Sequence, residues 1–155
     1  MLYMPMLGLV CIGLFFTAAN SATAQTASDS ALAVVKQLFV HMQQADTASM
    51  HQLFAADAVL QTIAVQNAGG AIVTASSLEQ LLLSVSRLQP GDADEQIEKP
   101  LVHTDGVLAS VWAPYRFFFK GVFSHCGVNS FQLIRMQAGW KIQYLVDTRR
   151  KAPCD

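Results

Sequence analysis

Between residues 28 and 44, apolar side chains recur every three or four positions. Leu32, Val35, Leu38, Phe39 and Met42 make one stripe, which predicts a helix capped by Ser28 or Asp29 and ending near Gln44. Asp46 or Thr47 opens a short second helix through Phe54, with Met50, Leu53 and Phe54 turned inward. The period then changes to two. Asp57–Val65 alternates as a strand does and breaks at Asn67-Ala-Gly-Gly70. Ser76 or Ser77 starts a third helix, Leu78–Leu88, closed by Gln89-Pro90-Gly91. An acidic loop at Asp92–Glu95 follows, then a strand at Gln96–His103 and a turn at Asp105-Gly106. Three long apolar runs complete the chain: Val107–Phe119, Val122–Met136 and Trp140–Thr148, joined at Lys120-Gly121 and Ala138-Gly139. Helices first and antiparallel strands afterwards predict an α+β domain, its helices packed on one face of the sheet.

The turns set the register. A two-residue loop at Lys120-Gly121 places Phe119 across from Val122, Arg116 across from His125 and Trp112 across from Asn129. A loop at Ala138-Gly139 places Phe131 across from Val146 and Asn129 across from Thr148. Directly paired residues share a face, so one face carries Trp112, Arg116, His125, Asn129, Leu133, Tyr144 and Val146. The other carries Val111, Ala113, Tyr115, Phe117, Phe119 and Leu145. Both are too apolar for water and the helices cover only one. The face with Tyr115, Phe117 and Phe119 is therefore expected to bury a second copy of the chain in a homodimer.

The N-terminal segment changes the picture of the rest. Nothing is charged before Asp29, Leu7–Phe16 is an apolar core, and Ala22-Thr23-Ala24 supplies the small residues that a signal peptidase reads. Cleavage after Ala24 is expected, leaving residues 25–155 as one domain in a periplasmic or secreted protein; an uncleaved membrane anchor is the alternative. The net charge of −1 gives no basis for binding nucleic acid, or a membrane once the segment is removed. Of three cysteines, Cys11 lies in the apolar core. Cys126 and Cys154 remain, an even pair that an oxidising compartment would bridge. In the register above, Cys126 lies opposite Lys151, three residues before Cys154. His41, His51, His103 and His125 have no metal-ligand spacing, and no phosphate-loop or nucleophile-elbow pattern is present, so neither metal nor cofactor is expected.

The layout resembles the nuclear transport factor 2-like superfamily, the cone-shaped fold shared with ketosteroid isomerases, scytalone dehydratase and polyketide cyclases. Leu53-Phe54-Ala-Ala-Asp57-Ala-Val59 is similar to its usual end of the second helix, and Gly139-Trp140-Lys141-Ile142 to its entry into the last strand. More narrowly, Trp112-Ala-Pro-Tyr115-Arg-Phe117, His125-Cys-Gly-Val-Asn-Ser-Phe131 and Gly139 through Cys154 resemble a bacterial secreted family labelled lumazine-binding. The resemblance implies helices on a strongly curved antiparallel sheet, a cystatin-like cone, with a ligand pocket between them.

Arg116, His125 and Asn129, with Trp112 beside them, form the polar group of an otherwise apolar face. Such a group either binds a ligand or hydrogen-bonds within the protein. Arg can hold an anion or carbonyl, Asn an amide edge, and Trp can stack on a planar ring; Leu133, Tyr144 and Val146 would form the floor. Three functions stay open. One is a binding protein for a small, partly apolar and planar ligand. Another is an isomerase, dehydratase or cyclase using His125 as acid–base group. The third is a structural or protein-interaction module whose interior is filled. The isomerase carboxylates have no clear counterpart, since Asp147 falls opposite His125 in this register and is expected to pair with a C-terminal Arg.

Overall fold

A computed structural model describes residues 18–66 and 69–154, with side chains from residue 25 onward. The apolar core Leu7–Phe16, Cys11 and the Asn67-Ala68 break lie outside the described residues. Three helices, α1 (Ala18–Gln43), α2 (Thr47–Gln52) and α3 (Leu78–Val85), accompany seven strands: β1 (Phe54–Val65), β2 (Ala71–Ser76), β3 (Ala93–Ile97), β4 (Leu101–Asp105), β5 (Leu108–Phe119), β6 (Val122–Met136) and β7 (Gly139–Thr148). The fold is α+β. One sheet runs β2-β1-β7-β6-β5-β3, with β4 beside the first half of β5; among the described strands only β1 and β7 pair in parallel.

Local chemistry explains the element ends. Asp46 caps α2 by accepting from the Ser49 amide, and Ser77 and Gln80 form a reciprocal capping box on α3. Phe54, expected to end the second helix, instead opens β1. The helix α1 starts ten residues before the expected Ser28 cap. The expected strand at 96–103 is two strands, because Lys99 takes a φ of 42° and Pro100 has no amide to donate. The acidic stretch before it is not a loop: Asp94 and Glu95 are paired residues of β3.

The core lies between α1 and the concave face of the sheet. Ala31, Val35, Leu38 and Phe39 pack on Ala109, Val111, Ala113, Phe131, Leu133 and Ile142, with Phe39 edge-on to Phe131 at 6.1 Å. The two great hairpins carry bulges that the sequence period hides. Lys120 (φ 52°) and Gly121 (φ 76°) form the expected two-residue turn, and Phe119 pairs with Val122. Ser124 is then an extra residue, so His125 faces Phe117 and Cys126 faces Arg116. In the second hairpin the loop is Gln137-Ala138, one residue earlier than expected, with Gly139 at φ 108° behind it. Gln143 is a second extra residue, and Asn129 pairs with Asp147 rather than Thr148.

The parity change has a direct consequence. Tyr115, Phe117 and Phe119, expected to cover a second subunit, point toward the helices and line the interior. Tyr115 is only 3% exposed. The helices therefore cover the part of that face around Tyr115 and Phe117. The Cys126–Cys154 disulfide is present, with Cα atoms 5.7 Å apart, and pins the tail beside the Cys126/Arg150 bridge. No described helix is long and apolar enough to cross a membrane.

Candidate functional site

Alternation along the bulged strands puts Ala93, Glu95 and Ile97 of β3, Tyr115 and Phe117 of β5, His125, Gly127 and Asn129 of β6, and Leu145 and Asp147 of β7 on the concave face. Together with residues of α1 and α3, most of them line a cavity of about 500 Å³. Its walls are Leu38, Phe39 and Met42 of α1, Leu81 and Val85 of α3, and Leu60, Phe117, Phe119 and Leu145 of the sheet. Such a volume, mostly apolar with a few converging polar groups, is typical of a small-molecule site.

The polar groups form two linked parts. In the first, Asp147 is a buried acceptor: Thr62 donates to its Oδ1 at 2.6 Å, while Arg149 Nε at 2.7 Å and the Tyr115 hydroxyl at 3.3 Å donate to Oδ2. Tyr115 also donates to the Thr148 carbonyl at 3.0 Å. Burial, with Glu95 and Asp147 nearby, raises the Tyr115 phenol far above its ordinary range, so it stays protonated. In the second part, Asn129 Nδ2 donates to Glu95 Oε1 at 2.6 Å. Among the described residues the Glu95 carboxyl makes no ion pair, and burial first, then Asp147, pushes its pKa up to about 7 against the opposing pull of Asn129 and Arg149.

His125 sits between the parts, its ring 5.0 Å from Phe117 and edge-on to Tyr115 at 5.8 Å. Its Nδ1 is 3.0 Å from Ser124 Oγ. Burial and then Arg149 hold its pKa below the ordinary value, with Lys151 adding to Arg149 and Asp147 opposing. His125 is therefore a neutral ring at neutral pH, able to exchange one hydrogen bond with a ligand through Nε2.

The expected site residues divide. His125 and Asn129 line the cavity. Trp112, 50% exposed, and Arg116, ion-paired with Glu98 at 3.1 Å, are on the convex face and cannot reach it. Tyr144 also turns away and donates to Gln61 Oε1 at 2.5 Å. Of the expected floor, Leu133 is buried in the core and Val146 lies on the convex side with Tyr144. Asp147 pairs with Arg149 as expected, but on the same face as His125. Glu95, Tyr115, Phe117 and Thr62 were missed. Glu95 had a signal, for Ala93, Glu95 and Ile97 alternate as one face of a strand does.

No protein-family model matches the sequence, and no curated protein matches it. Solved structures do. An NTF2-like protein with a cystatin-like fold from Novosphingobium aromaticivorans superposes with a TM-score of 0.67 at 11% identity, covering 87% of this chain and 89% of that one. The fold is the nuclear transport factor 2-like one. An NTF2-like protein of unknown function from Shewanella baltica (TM-score 0.59, 14% identity, 88% of this chain and 100% of that one) is similar as well. So is a ketosteroid isomerase-like protein from Erwinia carotovora atroseptica (0.57, 19%, 81% and 97%). Identities this low support the fold and no activity.

Proposed function

We propose that this protein binds a small, partly apolar molecule in the cavity between its helices and its curved sheet, and does so outside the cytoplasm. The observation that carries this is the unfilled space of about 500 Å³, apolar on most sides, with Glu95, His125 and Asn129 facing into it. A purely structural module would fill that space with its own side chains. The extracytoplasmic setting is supported by the Leu7–Phe16 apolar run, by Ala22-Thr23-Ala24 and by the Cys126–Cys154 bridge. The test is native mass spectrometry of the protein purified from its own cell envelope, with the Ser84→Trp variant beside it. Ser84 lines the cavity from the exposed side of α3. A retained small molecule in the wild type, lost when Trp enters the space, supports binding. Both proteins at the masses of their bare chains, with nothing bound, count against it.

One observation favours a second reading, an acid–base enzyme. Glu95 and His125 flank Phe117 on the two strands beside β5; the Glu95 carboxyl is pushed up to about 7, and the neutral His125 ring can accept a proton. Incubation of the retained molecule with protein in heavy water separates the two readings. Incorporation of deuterium that Glu95→Gln abolishes identifies the enzyme; an unlabelled molecule identifies the binding protein.

A further inference from the structure

We infer that Glu95, oriented by Asn129, offers the ligand one hydrogen-bond donor, so that the cavity selects flat apolar molecules bearing a neutral acceptor such as a ketone or amide carbonyl. This rests on the cavity-binding reading above and specifies what is bound.

The geometry leaves little choice of role. The Asn129 amide nitrogen is a donor only, and it occupies Glu95 Oε1 at 2.6 Å. Oε1 is thereby the carbonyl-type oxygen. The proton of the neutral acid must sit on Oε2, which has no protein partner among the described residues. Phe117, directly paired with Glu95, and Phe119 provide flat apolar surface beside it, with Leu38 and Phe39 opposite on α1.

The charged groups around Glu95 do not supply a counter-ion. From α1, Lys36 lines a second groove that Glu95 also borders, yet no ion pair joins the two among the described residues, and Lys36 is not among the groups that shift the Glu95 carboxyl. On β3 itself, Asp94 accepts from Gln43 and Gln96. Just beyond β7, Arg149 is ion-paired with Asp147. From β5, the Tyr115 hydroxyl is engaged by Asp147 and the Thr148 carbonyl. From β6, His125 is held toward its neutral form. Ionising Glu95 therefore leaves a charge in apolar surroundings, and its pKa of about 7 reflects that cost. An acceptor-bearing ligand joins the neutral acid. An ammonium ligand needs the ionised one.

The experiment uses 2-acetylnaphthalene as acceptor, naphthalene as its apolar counterpart and 2-naphthylmethylamine as cation, titrated into the full mature protein at pH 6 and pH 8.5. For the wild type, the ketone should bind more tightly at pH 6 by on the order of tenfold or more, following the protonated fraction of Glu95. Naphthalene should show no such change, and the amine should show the opposite one. Glu95→Gln keeps an oxygen for Asn129 and a permanent N–H donor for the ligand, so it should bind the ketone equally at both pH values. Binding of naphthalene by Glu95→Gln at both pH values shows that the cavity is still formed. Equal, pH-independent binding of ketone and naphthalene by the wild type overturns the inference while leaving cavity binding in place. So does a pH dependence that survives in Glu95→Gln. If no probe binds to either protein, the cavity-binding reading itself fails and takes this one with it.

Discussion

Tyr115 stands directly across from Gly127 in the β5–β6 pair, and its ring covers the position where a side chain at 127 would be. A Cβ there would lie 1.8 Å from the Thr148 carbonyl oxygen and 3.0 Å from Tyr115 Cε1. The glycine thus lets β7 come close enough for Tyr115 to bond both Thr148 and Asp147. Gly127→Ala should destabilise the fold by about 3 kcal/mol, because the contact is with backbone that cannot turn aside. Urea denaturation measures the loss, and a change below 1 kcal/mol would mean that the end of β7 is looser than described.

Glu95 makes stability depend on pH. Its native pKa, about 7, is above the unfolded value of 4.5. Between these values the unfolded chain gives up a proton that the native state keeps, so stability falls as pH rises from about 4.5 to 7 and is level above that. Glu95→Gln removes the effect. Relative to wild type it should gain stability progressively across that window, to about 2 to 3 kcal/mol at pH 8. Denaturation at pH 4.5 and pH 8 reads it, and a parallel pair of curves would place the carboxyl in water.

Asn129→Ala should raise the Glu95 pKa further. It deletes the hydrogen bond that favours the carboxylate and leaves burial unopposed. Carbon-detected NMR titration of the Glu95 carboxyl gives the midpoint directly. A midpoint that falls means water has replaced the amide.

His125 should titrate below its ordinary range, and Arg149→Met should move it upward. The substitution removes a cation and leaves Asp147 uncompensated, both of which favour the charged ring. The ring-proton shifts of His125 test this. By linkage, the wild type loses a little stability as pH falls through the unfolded histidine pKa of about 6.5, since the unfolded ring protonates first.

Replacing Cys126 and Cys154 together by Ser should cost about 3 to 4 kcal/mol, from the chain entropy regained when a loop with ends 28 residues apart is opened. Thiol titration of oxidised, denatured protein comprising residues 25–155 should find no free cysteine.

Much of the molecule was written in the chain itself. The amphipathic period of α1, the capping residues Asp46 and Ser77, the Lys120-Gly121 turn and the span of β6 are local features, set by propensity and side-chain spacing within a few residues. The disulfide was legible too, because two cysteines admit one pairing and the last strand returns its partner to β6. Tertiary structure alone decided which residues meet in the cavity. Both faces of β5 and β6 are apolar, so hydrophobicity did not say which one the helices cover. Parity then depended on two extra residues, Ser124 and Gln143, and no local pattern marks them. A bulge changes one backbone position but moves every later side chain to the other face of its partner strand. That single-residue offset sent Arg116 and Trp112 to the convex surface, brought Tyr115, Phe117 and Asp147 inside beside His125, and left Glu95, on a strand mistaken for a loop, as a second acid lining the cavity.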